Sequence, residues 1–449
     1  MTRYIFILLF FIITLTGCEK YLDVKPDKAL VVPATVADLR ALLNNTERMN
    51  SWYPSLQDAA TDNQFVQTIN WNTFVSLTAK NIYIFNDDVF NDSEVNEWSM
   101  MYSTIYYCNL ILEQLEKIAP VPAEKSQIEG ETLFFRSFAF YNVAQLWAKP
   151  YDKNTSHTDL GIPLRLKPDI NEKSKRSTVE ETYSKIIADL NRAASVLSVK
   201  GDYKTTPTKQ AAYALLARIY LSMEDYEKAL SYADSCLSYS NSLLDYNTLT
   251  MGSATSFPIP RFNVEVIFHA NDQGRQVMNI TNGRIDNELY NSYAANDLRK
   301  TAFFRSRAGY YSFRGNYDGN SGMWFAGIST NEIYLIKAEC EARAGHIATA
   351  LQTINELLKN RYNSTFVPFS SDNDEAVLRF VLDERRKELI WRGLRWSDLR
   401  RLNKDSRFAK TITRDIDGKI YTLEPNSPKY VLPIPNSVIL NNGMQQNER

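Results

Sequence analysis

The stretch from Ser329 to Leu402 constrains this chain more than any other, and its first part, Asn331 to Leu351, reads as a helical hairpin. Its apolar positions recur at helical spacing, and Gly345 with His346 divides it into two helices. Small residues at Ala338 and Ala350 let those helices approach closely. Two helices with small-residue seams and a tight turn form the pattern of a tetratricopeptide-like repeat. A second copy lies upstream. Tyr213, Leu216, Ala217 and Tyr220 line one helix, Asp225 and Tyr226 make the turn, and Ala229, Ala233 and Cys236 line the next. Aligned on the first small residue, Ala217 matches Ala338, Glu224 matches Gly345 and Ala229 matches Ala350. Such hairpins cannot bury their apolar faces alone, so they must stack on one another or on the rest of the chain. A scaffold follows from this, but no ligand does, because helical repeats serve many functions.

Helical spacing also runs through Ser93 to Ile118, Ala123 to Trp147, and Thr178 to Leu197, and a charged helix begins at Glu384. A short helix from Val36 to Leu43 is capped by Thr35. Two stretches break the rhythm. Asn50 to Asp92 mixes Trp52, Tyr53, Phe65, Trp71, Phe74 and Tyr83 with many Asn and Asp residues. Leu243 to Gly327 holds a short apolar strand, Glu265 to Ala270, and a Tyr-, Arg- and Gly-rich run after it. The chain therefore reads as mainly α, with helix pairs forming a rigid wall and an irregular, loop-rich face carrying a few short strands. Binding residues usually sit on such a face.

A length of 449 residues with 44% hydrophobic content is globular and ample for a core. The formal net charge of −1 argues against a nucleic-acid partner, which needs a concentrated basic face. Tyr4 to Thr16 is an apolar run too short for a comfortable membrane span. It ends in Leu15-Thr16-Gly17-Cys18, which resembles a bacterial lipoprotein box. Residues 1–17 then form a signal peptide, and Cys18 carries lipid. The alternative is an ordinary secretory signal with an incidental cysteine. Cys108, Cys236 and Cys340 remain, each among apolar neighbours in a helical pattern, and read as buried free thiols.

Signs of catalysis are few. The sequence has no Gly-rich phosphate loop and no Gly-x-Ser-x-Gly elbow. His157, His269 and His346 are scattered and share no metal spacing. His346 reads as a solvent-facing or capping residue. Asn316 to Gly322 alternates oxygen side chains but lacks the bidentate Glu of a calcium loop, so it reads as an Asn/Gly turn. No enzyme, metal or cofactor is expected.

Several stretches together resemble the SusD/RagB family of outer-membrane nutrient-binding lipoproteins. Tyr21-Leu22-Asp23-Val24-Lys25-Pro26 is similar to its opening after the lipobox. Glu129-Gly130-Glu131, Arg136, Ala139, Tyr141 and Leu146 resemble its second long helix, and Gly161-Ile162-Pro163-Leu164 the piece that follows. Arg176-Ser177-Thr178-Val179, Tyr183 and Asp189-Leu190 match the next helix, and Ala211-Ala212 to Leu221 the repeat after it. Glu384-Arg385, Glu388-Leu389, Gly393, Arg395-Trp396, Asp398-Leu399 and Arg401 resemble the charged C-terminal helix. Pro433-Ile434-Pro435, Asn441 and Gln446-Asn447 match the close. Arg392 stands where the family usually has Glu, which implies a rearranged ion pair.

The resemblance implies a single domain over residues 18–449. An N-terminal half, residues 18–240, holds helical repeats. The remainder, 241–449, holds a loop-rich ligand region, the last repeat and the C-terminal half. It implies about four tetratricopeptide-like helix pairs, a lipid-anchored place on the cell surface of Bacteroidota, and a SusC-like TonB-dependent transporter as partner. The implied ligand is an oligosaccharide, bound without cleavage. A peptide receptor of the same family and a helical scaffold with no small ligand are the alternatives.

A sugar ring has an apolar C–H face on which a flat Trp or Tyr can stack, while nearby amides bond its hydroxyls. Trp71 with Asn70 and Asn72, and Trp324 with Tyr310, Tyr311 and Tyr317, supply that combination in loops. The alternative is that these rings close the loops onto the scaffold. Trp98, Trp147, Trp391 and Trp396 fall in helical patterns and read as core. The clusters Arg385-Arg386-Lys387 and Arg400-Arg401 read as solvated faces or partners of Glu384 and Glu388.

Overall fold

The computed structural model describes residues 33–91, 96–118, 121–253, 256–272, 274 and 276–449. The expected signal peptide, residues 1–17, and Cys18 lie outside the described residues. Nine long helices form the wall: α1 (Glu97–Ile118), α2 (Pro122–Trp147), α3 (Val179–Val196), α4 (Lys209–Ser222), α5 (Tyr226–Tyr239), α6 (Thr330–Arg343), α7 (Ile347–Leu358), α8 (Asp374–Glu388) and α9 (Arg395–Leu402). Sequential helices pack against each other, α1 on α2, α2 on α3, α4 on α5, and α6 on α7. The chain is mainly α, with stacked tetratricopeptide-like pairs and a few two-stranded ladders.

The seams follow the sequence pattern. Ala217, Ala229, Ala233, Ala338 and Ala350 are all fully buried. A methyl group at each crossing lets two backbones approach, and larger side chains on either side fill the remaining groove. Helix α3 begins with a reciprocal cap, in which Thr178 accepts from the Glu181 N–H and Glu181 accepts from the Thr178 N–H. Helix α2 is buried almost all round because α1 and α3 cover its flanks and the loop face covers the rest. Its Phe134 and Phe138 rings meet Phe268 at 4.7 and 5.5 Å.

Of the charged clusters, Arg385, Lys387, Arg400 and Arg401 are buried and not solvated. Arg385 and Arg401 are 3% exposed and both bond Asp398. Arg401 also holds Glu339 of α6, with 2.7 Å from Nη2 to Oε2. Lys387 pairs with Glu384, as expected, but Arg386 reaches Asp62 at 3.0 Å. Arg400 donates to the carbonyls of Gln145 and Ala148. At the centre, Arg361 joins Glu265 and Glu388 at 2.6 and 2.8 Å, and Arg299 joins Asp297, Glu384 and Glu388. Pairing of this kind offsets the several kcal/mol that burying an isolated ion costs.

Cys108, Cys236 and Cys340 are buried free thiols. Burial raises the first two to about 12, so they stay protonated and inert. His346 is exposed and makes no side-chain cap. Asn316 closes the turn before Trp324 by donating to the carbonyls of Asn320 and Met323 at 2.7 and 2.6 Å.

Candidate functional site

Four short strands build the irregular face. They are β1 (Gln64–Phe65), β2 (Arg284–Ile285), β3 (Phe304–Arg307) and β4 (Tyr310–Phe313). β1 pairs with β2, setting Phe65 opposite Arg284. β3 and β4 form a hairpin turned by Ala308 and Gly309, with Phe304 opposite Phe313, Arg305 opposite Ser312 and Arg307 opposite Tyr310. Side chains alternate along a strand, so the hairpin has two faces. Phe304 and Phe313 point inward and are 3% and 2% exposed. Arg305, Arg307, Tyr310 and Ser312 share the other face.

That face meets the segment at 64–72. Gln67 donates from Nε2 to the Tyr310 hydroxyl at 3.0 Å, and the Phe65 ring stands edge-on to Tyr310 at 5.6 Å. The Arg284 guanidinium lies 5.7 Å from the Tyr310 ring centre. Asn70 reaches Asn282 at 3.5 Å, two residues before Arg284. Gly283 is required between them, since a Cβ there would lie 2.6 Å from the Val277 carbonyl. Trp71 is half-buried in the short helix Thr68–Asn72. Its Nε1 donates to the Lys80 carbonyl at 3.4 Å, and the Lys80 ammonium stands 5.2 Å from the ring centre. Ile69 and Val75 nearby in sequence are 74% and 88% exposed.

The structure therefore sorts the expected ligand residues into two groups. Asn70, Trp71, Asn72, Tyr310 and Tyr311 are at least partly open to solvent. Tyr311 is stacked on Tyr290, with centroids 3.4 Å apart and planes 12° apart. Trp324 and Tyr317 are not available, being 1% and 0% exposed. Trp324 packs on Trp391 at 4.7 Å and on Phe313 at 5.8 Å, closing the loops onto the scaffold. Tyr317 donates its hydroxyl to Glu265 inside the central ion network. The expectation that these two contact ligand is corrected. Their alternative reading, rings that seal an interface, is what the fold shows. Arg392 forms no rearranged carboxylate pair here; it stacks on Tyr317 at 3.6 Å and bonds Ser329 at 3.0 Å.

Sequence reasoning missed Phe65, Gln67, Asn282, Arg284 and Tyr290. Each lies in a stretch without periodicity, and only the β1–β2 and β3–β4 ladders bring them together. A separate cleft of about 640 Å³ lies beside the C-terminal tail, lined by Lys149, Asp159, Arg400, Asn403, Tyr430 and Gln446. Its one ring, Tyr430, is 3% exposed and packed on Trp396, so it offers no stacking platform. Among the described residues no group of three or more His, Cys, Asp or Glu could hold a metal. No described helix is long and apolar enough to cross a membrane.

Fold and face together define a helical-repeat wall presenting half-open aromatic rings beside amides. The chain belongs to the SusD/RagB family. Residues 20–221 match the family model described as starch-binding associating with outer membrane, and residues 260–449 match the SusD family model. A SusD-like protein of Formosa agariphila is 21% identical over 89% of this chain and 91% of its own length. The fold is similar to that of a putative sugar binding protein from Bacteroides vulgatus, with a TM-score of 0.75, 24% identity, and coverage of 93% of this chain and 99% of that one. A laminarin binding SusD-like protein superposes with a TM-score of 0.66 at 18% identity, over 92% of this chain and 98% of that one.

Proposed function

We propose that this protein binds a nutrient oligosaccharide on the Trp71–Tyr310 face and delivers it, uncleaved, to a SusC-like TonB-dependent transporter in the outer membrane. The observation that carries the reading is a pair of partly open rings, Trp71 and Tyr310, on two short segments that Gln67 ties together, with Asn70 and Asn72 beside Trp71 in sequence. Flat rings take the apolar faces of sugars, and amides supply both donors and acceptors for hydroxyls. The laminarin-binding neighbour supports a glycan as the ligand class. Lipid on Cys18 is the proposed anchor, holding the protein at the cell surface.

The test uses the mature protein on a glycan array, followed by affinity electrophoresis against the glycans retained. The double variant Trp71→Ala/Tyr310→Ala is expected to lose retention at least about tenfold, the combined scale of two stacking contacts. Undiminished retention rejects the site. Cys18→Ser is expected to shift the protein from the membrane fraction to the soluble fraction; unchanged partition rejects the anchor.

A further inference from the structure

Among the described residues the buried arginines other than Arg284 each bond an acceptor, a backbone carbonyl or hydroxyl for Arg314, Arg392, Arg400 and Arg414 and a carboxylate for the rest. Arg218 has Glu332, Arg361 has Glu265 and Glu388, and Arg401 has Glu339. Arg284 departs from that rule. It is 6% exposed, yet its Nε and Nη1 atoms have no hydrogen-bond partner. Among the described residues it is the one arginine with two such nitrogens. A covered guanidinium without acceptors is costly, and such a group in a native fold calls for a function.

Its surroundings increase the positive charge. Arg307 is exposed and Arg305 half-buried, both on the hairpin face that carries Tyr310. Burial and then the Arg307 charge lower the pKa of Arg284, and the same two causes lower that of Arg305. Among the described residues, the Tyr310 phenol and no carboxylate acts on Arg284 beside these. This cationic corner lies beside the ring proposed to stack on sugar, in a chain whose overall charge is −1.

We propose that the ligand is an acidic glycan whose oxyanion, a uronate carboxylate or a sulfate ester, seats on Arg284 with Arg307 at the rim. A guanidinium supplies the charge and the N–H donors that either group needs. The Tyr310 ring beside it, and the Trp71 ring on the segment that Gln67 ties to Tyr310, take the neutral faces of neighbouring residues. This rests on the glycan-binding reading above and narrows its ligand class.

The test probes the mature protein and its Arg284→Gln, Arg307→Gln and Trp71→Ala variants. The array carries uronate oligosaccharides with their methyl esters, sulfated oligosaccharides with their desulfated forms, and neutral β-glucans. Retention of the charged member at least about tenfold above its neutral counterpart is expected, and the array arm identifies carboxylate or sulfate. Arg284→Gln is expected to remove about tenfold of that affinity, the scale of losing a hydrogen bond to a charged group. Arg307→Gln is expected to cost about two- to threefold and to lose its effect as salt rises, since an exposed charge is screened. Because Arg307 is exposed, its variant keeps the test valid if Arg284→Gln does not fold. Binding of neutral glycans alone, sensitive to Trp71→Ala but not to either arginine variant, overturns the acidic ligand and leaves the glycan reading standing. Binding of no glycan of either kind overturns both.

Discussion

Arg218 of α4 and Glu332 of α6 meet in a two-pronged ion pair, Nε to Oε1 and Nη2 to Oε2 at 2.7 Å each. Both side chains are nearly solvent-free, at 5% and 2% exposure. Arg218 Nη2 also reaches the Gly327 carbonyl at 2.7 Å. One residue pair therefore fixes the α4–α5 hairpin to the α6–α7 hairpin and to the backbone just before α6.

Removing the Glu332 charge strands a buried guanidinium. Glu332→Gln is expected to destabilise the fold by about 3 kcal/mol, the lower end for breaking a buried pair. The double variant Arg218→Met/Glu332→Leu is expected to recover most of that loss, because apolar groups of similar volume leave no uncompensated charge. Urea midpoints measure both; equal midpoints for wild type and Glu332→Gln reject the account.

Trp324 and Trp71 separate packing from binding. Trp324→Ala opens a cavity beneath the loops and is expected to cost about 3–5 kcal/mol. Trp71→Ala, at a half-open position, is expected to shift stability by about 1 kcal/mol or less while lowering glycan retention. A Trp324→Ala protein with wild-type melting would contradict its place in the core.

Stability is expected to fall on both sides of about pH 5. Burial raises Glu388, but Arg361 and Arg299 outweigh it and bring its pKa from 4.5 to about 2. Glu339 is likewise brought to about 2, with Arg401 and Arg343 overcoming burial. Folded values below unfolded ones mean stability that is present above about pH 4.5 and lost as pH falls toward 2. Asp58 has the opposite sign. Burial pushes it from 3.8 to about 7, only partly offset by the Gly393 N–H. Its contribution is complete below about pH 3.8 and lost as pH rises through 7. Asp58→Asn is therefore expected to gain about 2–3 kcal/mol over wild type at pH 8 relative to pH 5, the scale of the two pH units between 5 and 7. Melting curves from pH 3 to 8 test this, and an unchanged alkaline limb in Asp58→Asn would refute it.

The matched turn positions Gly345 and Glu224 both adopt left-handed backbone, with φ of 76° and 62°. Nothing lies within 4 Å of a Cβ built at Gly345, so Gly345→Ala tests backbone strain alone. A loss of about 1 kcal/mol is expected. Glu224→Gly is expected to gain slightly less, because the exposed bond from Lys404 at 2.6 Å is given up. Opposite signs in the two variants, read by thermal melting, are the outcome that matters.

The repeats were legible because a helical seam is a local property: Ala217, Ala229, Ala338 and Ala350 announce close approach by size and spacing alone. The turn equivalence of Glu224 and Gly345 was legible for the same reason. So were the buried thiols, whose neighbours along the helix are apolar. The ionic core was not. Arg385, Arg400 and Arg401 look like a solvated face until Glu339, Asp398 and two backbone carbonyls arrive from elsewhere in the chain.

The amino-acid order by itself determined which segments become paired helices and where aromatic-rich loops interrupt them, since periodicity and side-chain volume act within a few turns. Tertiary packing alone decided which rings face outward. Trp71 and Trp324 sit in similar loop compositions, but one lies on a short surface helix and the other is covered by Trp391 and Phe313. It also placed Arg284 beside Tyr310 without a carboxylate. Burial and charge pairing are sums over neighbours distant in sequence, and no local pattern records them.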